Sequence, residues 1–185
     1  MRNLVYECNV SLDGFADHTA AGVVDDELHY FFSGLLDDTD IELFGRVTYQ
    51  LMESYWPFAH EDPKANSGML EFADKFNAIP KIVFSNSLQK ADWNNTKLIK
   101  GDAVEEVKKL KQQPGKNISI GGIHLAATLM NAGLIDEYWI LIHPVIVGKG
   151  RRLFEENKER QNLKLVETKK LNSGVVALHY LSVKK

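Results

Sequence analysis

The chain has 185 residues, 44% of them hydrophobic and 25% charged, with a net charge of −3. That length suits one domain with a sizeable core, so a single domain over residues 1–185 is expected. The charge offers no basic field for nucleic acid or an anionic membrane, and the one cysteine, Cys8, excludes an internal disulfide framework and a multi-cysteine zinc site.

Cys8 lies in an apolar segment and reads as a small buried hydrophobe. The N-terminus carries Arg2 and no long apolar run, so no signal peptide is expected. No window approaches the ~18 uncharged apolar residues of a membrane span. A reduced, cytoplasmic protein with no membrane or nucleic-acid partner is the starting expectation.

"LVYECNV" (Leu4–Val10) reads as a first strand, "SLDG" as a turn and "FADHTAAG" as a loop. From Asp25 the period changes. Leu28, Phe31, Phe32, Leu35 and Leu36 fall on one helical face, with Asp25, Asp26 and Glu27 in the opening turn where carboxylates oppose the helix dipole. "DIELFG" is a short strand ending at Gly45, and "RVTYQLMESY" restarts as a helix with Val47, Leu51 and Met52 inward. "WPFAHEDPKANSG" reads as an excursion or lid-like loop, followed by a helix over roughly Met69–Asn77 that buries Met69, Leu70, Ala73 and Phe76.

"PKIVFSNS" is a strand with a polar end, and "TKLIKG" another short strand. "DAVEEVKKLKQQPG" is an amphipathic helix capped by Asp102 and closed by Pro114-Gly115. "KNISIGG" is a buried strand, "IHLAATLMNAG" a helix ended by Gly133, and "IDEYWILIHPVIVG" a long strand. After "GKGRRLFEENKERQN", the segments "LKLVETKKL" and "GVVALHYLSV" face each other across "NSG" as a hairpin. Strand and helix alternate until the hairpin, so the expected architecture is α/β: a mostly parallel sheet covered on both faces, with an antiparallel C-terminal edge.

In an open α/β sheet, ligands sit beyond the carboxyl ends of the strands. Three segments reach that edge with unusual chemistry. In "FGRVTYQ" a helix begins at once after Gly45; its free N–H groups, Arg46 and Thr48 suit an anion, or form a capped helix with a surface arginine. In "FSNS", Ser85, Asn86 and Ser87 end a strand as ligand contacts or as turn formers. Gly121-Gly122 between strand and helix allow close backbone approach, or satisfy a tight turn needing positive φ. The sequence "GGIHLA" is not GxGxxG, and there is no Walker motif. Two such helix starts and a polar strand end together fit a ligand with several phosphates.

Asp13 is a turn former or a residue at the mouth of the first strand. Glu27 is a helix-start carboxylate or a general acid. His29, His60, His124, His143 and His179 show no metal-ligand spacing, so no metal is expected. Ser11 and Ser85 lack a GxSxG elbow, which argues against a serine hydrolase. "KGRR" (Lys149–Arg152) is a solvated turn or a second anion contact.

The stretches "NVSLDGF", "FGRVTYQ", "IVFSNS", "SIGGIHLAATLMNAGLIDEYWILIHPVIVGKGRRLF" and the closing hairpin resemble the dihydrofolate reductase-like superfamily, in the branch that includes the reductase domain of riboflavin biosynthesis. The resemblance runs in order over nearly the whole chain. It implies a three-layer fold on an eight-stranded, mainly parallel sheet, NADPH as hydride donor, and a homodimer. It also implies roles: Gly45, Arg46 and Thr48 on the cofactor phosphates; Ser85 and Asn86 near the adenosine 2′-phosphate; Gly121, Gly122 and Ile123 at the pyrophosphate; Asp13 at the start of the loop over the nicotinamide. The pattern "ELHYF" puts Glu27 in the place of the acid on the first helix.

The sequence departs from the riboflavin-pathway pattern at Ile120, where those reductases carry an acid before the glycine pair, and no deaminase partner domain is expected. Tyr55, Trp56 and Phe58 could line a flat-ring pocket or pack as an aromatic core. The expected function is NADPH-dependent reduction of a small flat pteridine- or pyrimidine-like heterocycle, with Glu27 or Asp13 as acid. The alternative is a non-catalytic ligand-binding homo-oligomer on the same fold. A kinase or transferase is disfavoured by the missing Walker motif and acidic metal cluster.

Overall fold

The computed structural model describes residues 1–16, 22, 24–154 and 156–183. Much of the expected loop Phe15–Gly22 lies outside the described residues. The elements run β1 (Leu4–Ser11), α1 (Asp26–Asp37), β2 (Thr39–Gly45), α2 (Arg46–Glu53), a 3-10 turn (Trp56–Glu61), α3 (Ser67–Ala78), β3 (Lys81–Phe84), β4 (Thr96–Ile99), α4 (Ala103–Gln112), β5 (Asn117–Ile120), α5 (His124–Asn131), β6 (Glu137–His143), β7 (Leu163–Lys170) and β8 (Val176–Ser182).

One eight-stranded sheet has the order β4-β3-β2-β5-β1-β6-β8-β7. The first six strands in that order pair in parallel. The closing hairpin adds β8 and then β7 antiparallel, as the alternating pattern across Asn172-Ser173-Gly174 predicts. One face carries Leu4, Tyr6, Leu43, Ile82, Ile118, Ile120 and Ile140 and packs against α4 and α5 through Val107, Leu125, Ala126 and Leu129. The other carries Phe44 and Val83 under Leu36 of α1 and Phe76 of α3, and Leu141 and Ala177 under Leu28. The fold is therefore three-layered.

Local chemistry sets the helix ends. Asp25, Asn66 and Asp102 accept hydrogen bonds from Leu28 N, Met69 N and Val104 N at the starts of α1, α3 and α4. Gly133, at φ +66°, takes the left-handed position after α5. Strand β6 stops at His143, short of the expected Gly148. Pro144 has no N–H to donate, and Val145 N–H turns back onto the His143 carbonyl at 2.8 Å.

Two expectations are corrected. Helix α2 does not bury Val47 and Leu51, which are 61% and 38% exposed. Tyr49 is the buried anchor; its hydroxyl donates to Glu53 at 2.6 Å and accepts from Trp93 N at 3.0 Å. An aromatic with a satisfied hydroxyl outweighs the aliphatic spacing. The segment after α2 is not an open lid either: it forms the 3-10 turn and packs on α3, with the Trp56 and Phe72 ring centroids 4.6 Å apart.

Candidate active site

Strands β2 and β5 are neighbours, yet their following helices leave to opposite faces: α2 joins Phe44 and Trp93 through Tyr49, whereas α5 joins Ile120 and Leu43. The chain therefore parts at the carboxyl ends of β2 and β5, which is where an open sheet forms a ligand crevice. Gly45 and Gly121 stand at those two ends.

The helices that start there lack the caps seen elsewhere. Neither Gly45, before α2, nor Ile123, before α5, supplies a side-chain cap. Their first-turn N–H groups are open to an external acceptor. The two starts also touch. A Cβ on Gly122 (φ +87°) would lie 2.3 Å from Thr48 Oγ1, and one on Gly45 would lie 3.7 Å from Leu125 Cβ. Glycine at 122 is required by both the backbone and the approach of Thr48.

Cations flank this junction. Arg46 is held by Gln50, Nη1 donating to Oε1 at 3.0 Å. Arg151 Nη1 contacts His124 Nε2 on the first residue of α5. Beside Arg46 an open depression of about 660 Å³ is bordered by Ser87, Gln89 and Lys90. Gln89 and Lys90 escaped the sequence reading; the polar run "SNSLQK" after β3 is their signal. Ser85 Oγ accepts from Leu88 N at 3.0 Å, and Asn86 Oδ1 accepts from Gly101 N at 3.1 Å, so both shape the turn at that rim.

The two acids singled out in sequence are engaged elsewhere. Asp13 accepts from Ser11 Oγ at 2.7 Å, from Val147 N at 3.2 Å and from Gly148 N at 2.8 Å. The Ser11 hydroxyl, followed by these amides, holds its carboxyl below the usual range. It is a carboxylate that ties the exit of β1 to the exit of β6. A Phe15–Arg152 bridge continues that contact, with the Arg152 guanidinium 4.9 Å from the Phe15 ring centroid. Glu27 Oε2 accepts from Asn172 N at 2.7 Å, which fastens α1 to the β7–β8 turn.

Tyr55, Trp56 and Phe58 do not converge on one pocket. Trp56 is locked among Tyr55, His29, Phe72 and Phe76, and donates to Met52 Sδ at 3.1 Å. Tyr55 donates to Asp62 at 2.9 Å. Phe58, 55% exposed, faces a separate hollow of about 500 Å³ beside Trp93 and Asn77. Tyr55 precedes the 3-10 turn with a non-helical backbone, and Trp56 and Phe58 lie two residues apart within it, so the three side chains do not share a face.

A different polar row lies on the α1 and α3 side of the sheet. Glu42 (β2) pairs in register with Ser119 (β5) and Lys81 (β3). Glu7 on β1 shares that face and sits level with Gly121, one step past the Tyr6–Ile120 pair. Burial raises the Glu7 carboxyl to about 7, and the Ser119 hydroxyl opposes the rise. Glu42, 4% exposed, is raised well above the usual range, first by burial and then by Glu7. Lys81 is lowered to about 8 by burial; its Nζ donates to Ile79 O at 2.8 Å and lies 4.4 Å from the Trp93 ring centroid. Farther along the same face, fully buried His143 bonds Asn9 Oδ1 through Nε2 at 2.9 Å, and its Nδ1 has no hydrogen-bond partner among the described residues.

The RibD C-terminal domain family matches residues 2–177. The chain belongs to that family. The uncharacterized protein YyaP of Bacillus subtilis (strain 168) is 36% identical over 184 residues, covering 97% of this chain and 94% of YyaP. Two solved structures share the fold. A pyrimidine reductase-like protein of Corynebacterium diphtheriae has a TM-score of 0.69 at 13% identity, over 100% of this chain and 93% of that one. Dihydrofolate reductase of Enterococcus faecalis has a TM-score of 0.65 at 14% identity, over 98% and 97%.

As a RibD C-terminal domain, the chain has a reductase-like fold, shared with that dihydrofolate reductase. Ile120, before the glycine pair, is fully buried against α5 on the side away from Glu7. No helix among the described residues is long and apolar enough to cross a membrane. Among the described residues, no three His, Cys, Asp or Glu side chains are grouped to hold a metal.

Proposed function

We propose that this RibD C-terminal domain is an NADPH-dependent reductase of a small flat heterocycle, pteridine- or pyrimidine-like, acting on a CH–NH or C=N group. The observation that carries the reading is the junction of two uncapped helix starts, α2 and α5, at adjacent strand ends, with Thr48 against a side-chain-free Gly122. Diphosphate fits such a junction because free N–H groups and the positive helix ends converge on it.

In this reading Gly45, Arg46 and Thr48 hold cofactor phosphate, Gly121, Gly122 and Ile123 meet the pyrophosphate, and Ser85 and Asn86 shape the rim toward the adenosine 2′-phosphate. Bound NADPH would supply the hydride; the chain supplies position, charge and a proton. Calorimetric titration with NADPH, followed by NADPH oxidation against a panel of pterins and aminopyrimidines, tests it. Saturable binding with turnover supports it, and no binding at high micromolar NADPH sinks it.

A second reading, a non-catalytic ligand-binding homo-oligomer, is favoured by the engagement of Asp13 and Glu27 with backbone amides. Tight NADPH binding without turnover of any panel member supports that alternative. Self-association as a homodimer belongs to both readings. Its support is the outer strand β7, exposed along all eight residues, with Leu163, Leu165 and Val166 uncovered. Light scattering in solution decides it. A reducing, cytoplasmic setting is also part of the proposal, supported by the single cysteine.

A further inference from the structure

Glu7 is the one carboxyl of the polar row that is only half-buried; Glu42 behind it is 4% exposed. Side chains alternate along β1, so Glu7, Asn9 and Ser11 share the α1 side of the sheet. Glu7 stands level with Gly121 and Asn9 lies one step nearer the crevice. A flat ring laid against the α1 side of β1, next to the glycine pair, would face both side chains. We propose that Glu7 is the ionisable ligand contact of this site, meeting a ring nitrogen of a basic, flat N-heterocycle of the aminopyrimidine type, the role that Glu27 and Asp13 are too engaged to fill.

The inference rests on the proposed reductase reading for the orientation of the ring. Its chemistry is a proton transfer. The O–H bond of the Glu7 carboxyl breaks, an N–H bond forms on the ring nitrogen, and the carboxylate stays hydrogen-bonded to the new cation. The proton returns from solvent when the ring leaves. Near neutrality both forms of Glu7 are populated, which suits it to give and retake that proton.

The other titratable groups on this side of the sheet are accounted for. Glu42 and Lys81 lie behind Ser119. On β6, Trp139 is the register partner of Glu7, and the ring stacked on it is His179, bonded to Glu137 at 3.0 Å. His143 bonds Asn9, with Asp25 near enough to act on its charge. On α1, His29 is directed to Trp56 and Phe72. None of these stands on β1 beside the glycine pair.

The test uses the whole chain saturated with NADPH and 2,4-diaminopyrimidine as probe, titrated by calorimetry at about pH 6 and about pH 8 in buffers of different ionisation heat. The wild type is expected to bind with a pH-dependent proton count. Glu7→Gln should lower affinity roughly 10-fold or more and remove that dependence, whereas Glu27→Gln should change it less than about 2-fold. Unchanged binding by Glu7→Gln, or NADPH binding with no probe binding in the wild type, overturns the inference.

A second measurement is independent of the cofactor. In the 13C spectrum of glutamate-labelled protein, a carboxyl titrating near 7 is expected in the wild type and missing in Glu7→Gln. Its absence from the wild type also overturns the inference. If that signal is present but NADPH does not bind, the reductase reading fails while the proton-holding Glu7 stands.

Discussion

Thr48 Oγ1 fills the space that a side chain on residue 122 would need, 2.3 Å from an ideal Cβ position. This contact joins the first turn of α2 to the turn before α5. Gly122→Ala faces two separate costs, a backbone at φ +87° and a clash with Thr48. Together these should destabilise the fold by about 2–3 kcal/mol in denaturant titration and abolish NADPH binding. Thr48→Ala in the same chain should recover the steric part alone. A folded Gly122→Ala protein with wild-type NADPH affinity would show that the turn holds no phosphate.

Arg46 borders the depression with Ser87, Gln89 and Lys90. Arg46→Ala is expected to weaken NADPH roughly 10-fold and NADH far less, because only NADPH carries the 2′-phosphate. Equal loss for both nucleotides, by calorimetry, would remove that assignment.

The Glu7 carboxyl also predicts a pH signature in stability. Its folded-state value is raised from 4.5 to about 7, so the native chain keeps a proton that the unfolded chain has released. The Glu7 contribution is therefore full below about 4.5 and is lost as pH rises toward about 7. Glu7→Gln should match the wild type in acid and exceed it by up to ~3 kcal/mol above neutrality. Denaturation midpoints measured across that window check the sign; a gap that narrows with rising pH refutes it.

The two aromatics of the 3-10 turn should separate cleanly. Trp56→Ala removes a ring packed on Phe72 and Phe76 and should cost about 3 kcal/mol. Phe58→Ala uncovers a side chain already 55% exposed and should change stability by less than ~0.5 kcal/mol. Thermal melts of the two variants decide the matter. Similar losses would place Phe58 in the same packed cluster.

Local signals made most of the fold legible in the sequence. The periods of 2 and 3.6, the cap Asp102 and the turn glycine Gly133 are properties of a few adjacent residues, and the structure has them where the sequence places them; Asp25, read into the opening turn, is the cap before it. The glycine pair also announced itself, because a missing side chain between two apolar runs needs a reason. Tertiary structure decided the rest. Which face α2 buries was set by Tyr49 reaching Trp93, 44 residues away in sequence. In the sequence, Asp13 is a turn former or a residue at the strand mouth and Glu27 a helix-start carboxylate or an acid; the amides that engage them, Gly148 and Asn172, come from distant segments. Nothing in "LVYECNV" singles out Glu7. Its raised proton affinity comes from burial, which the Ser119 hydroxyl on β5 only partly opposes, and burial is a property of the assembled sheet and helices rather than of any segment.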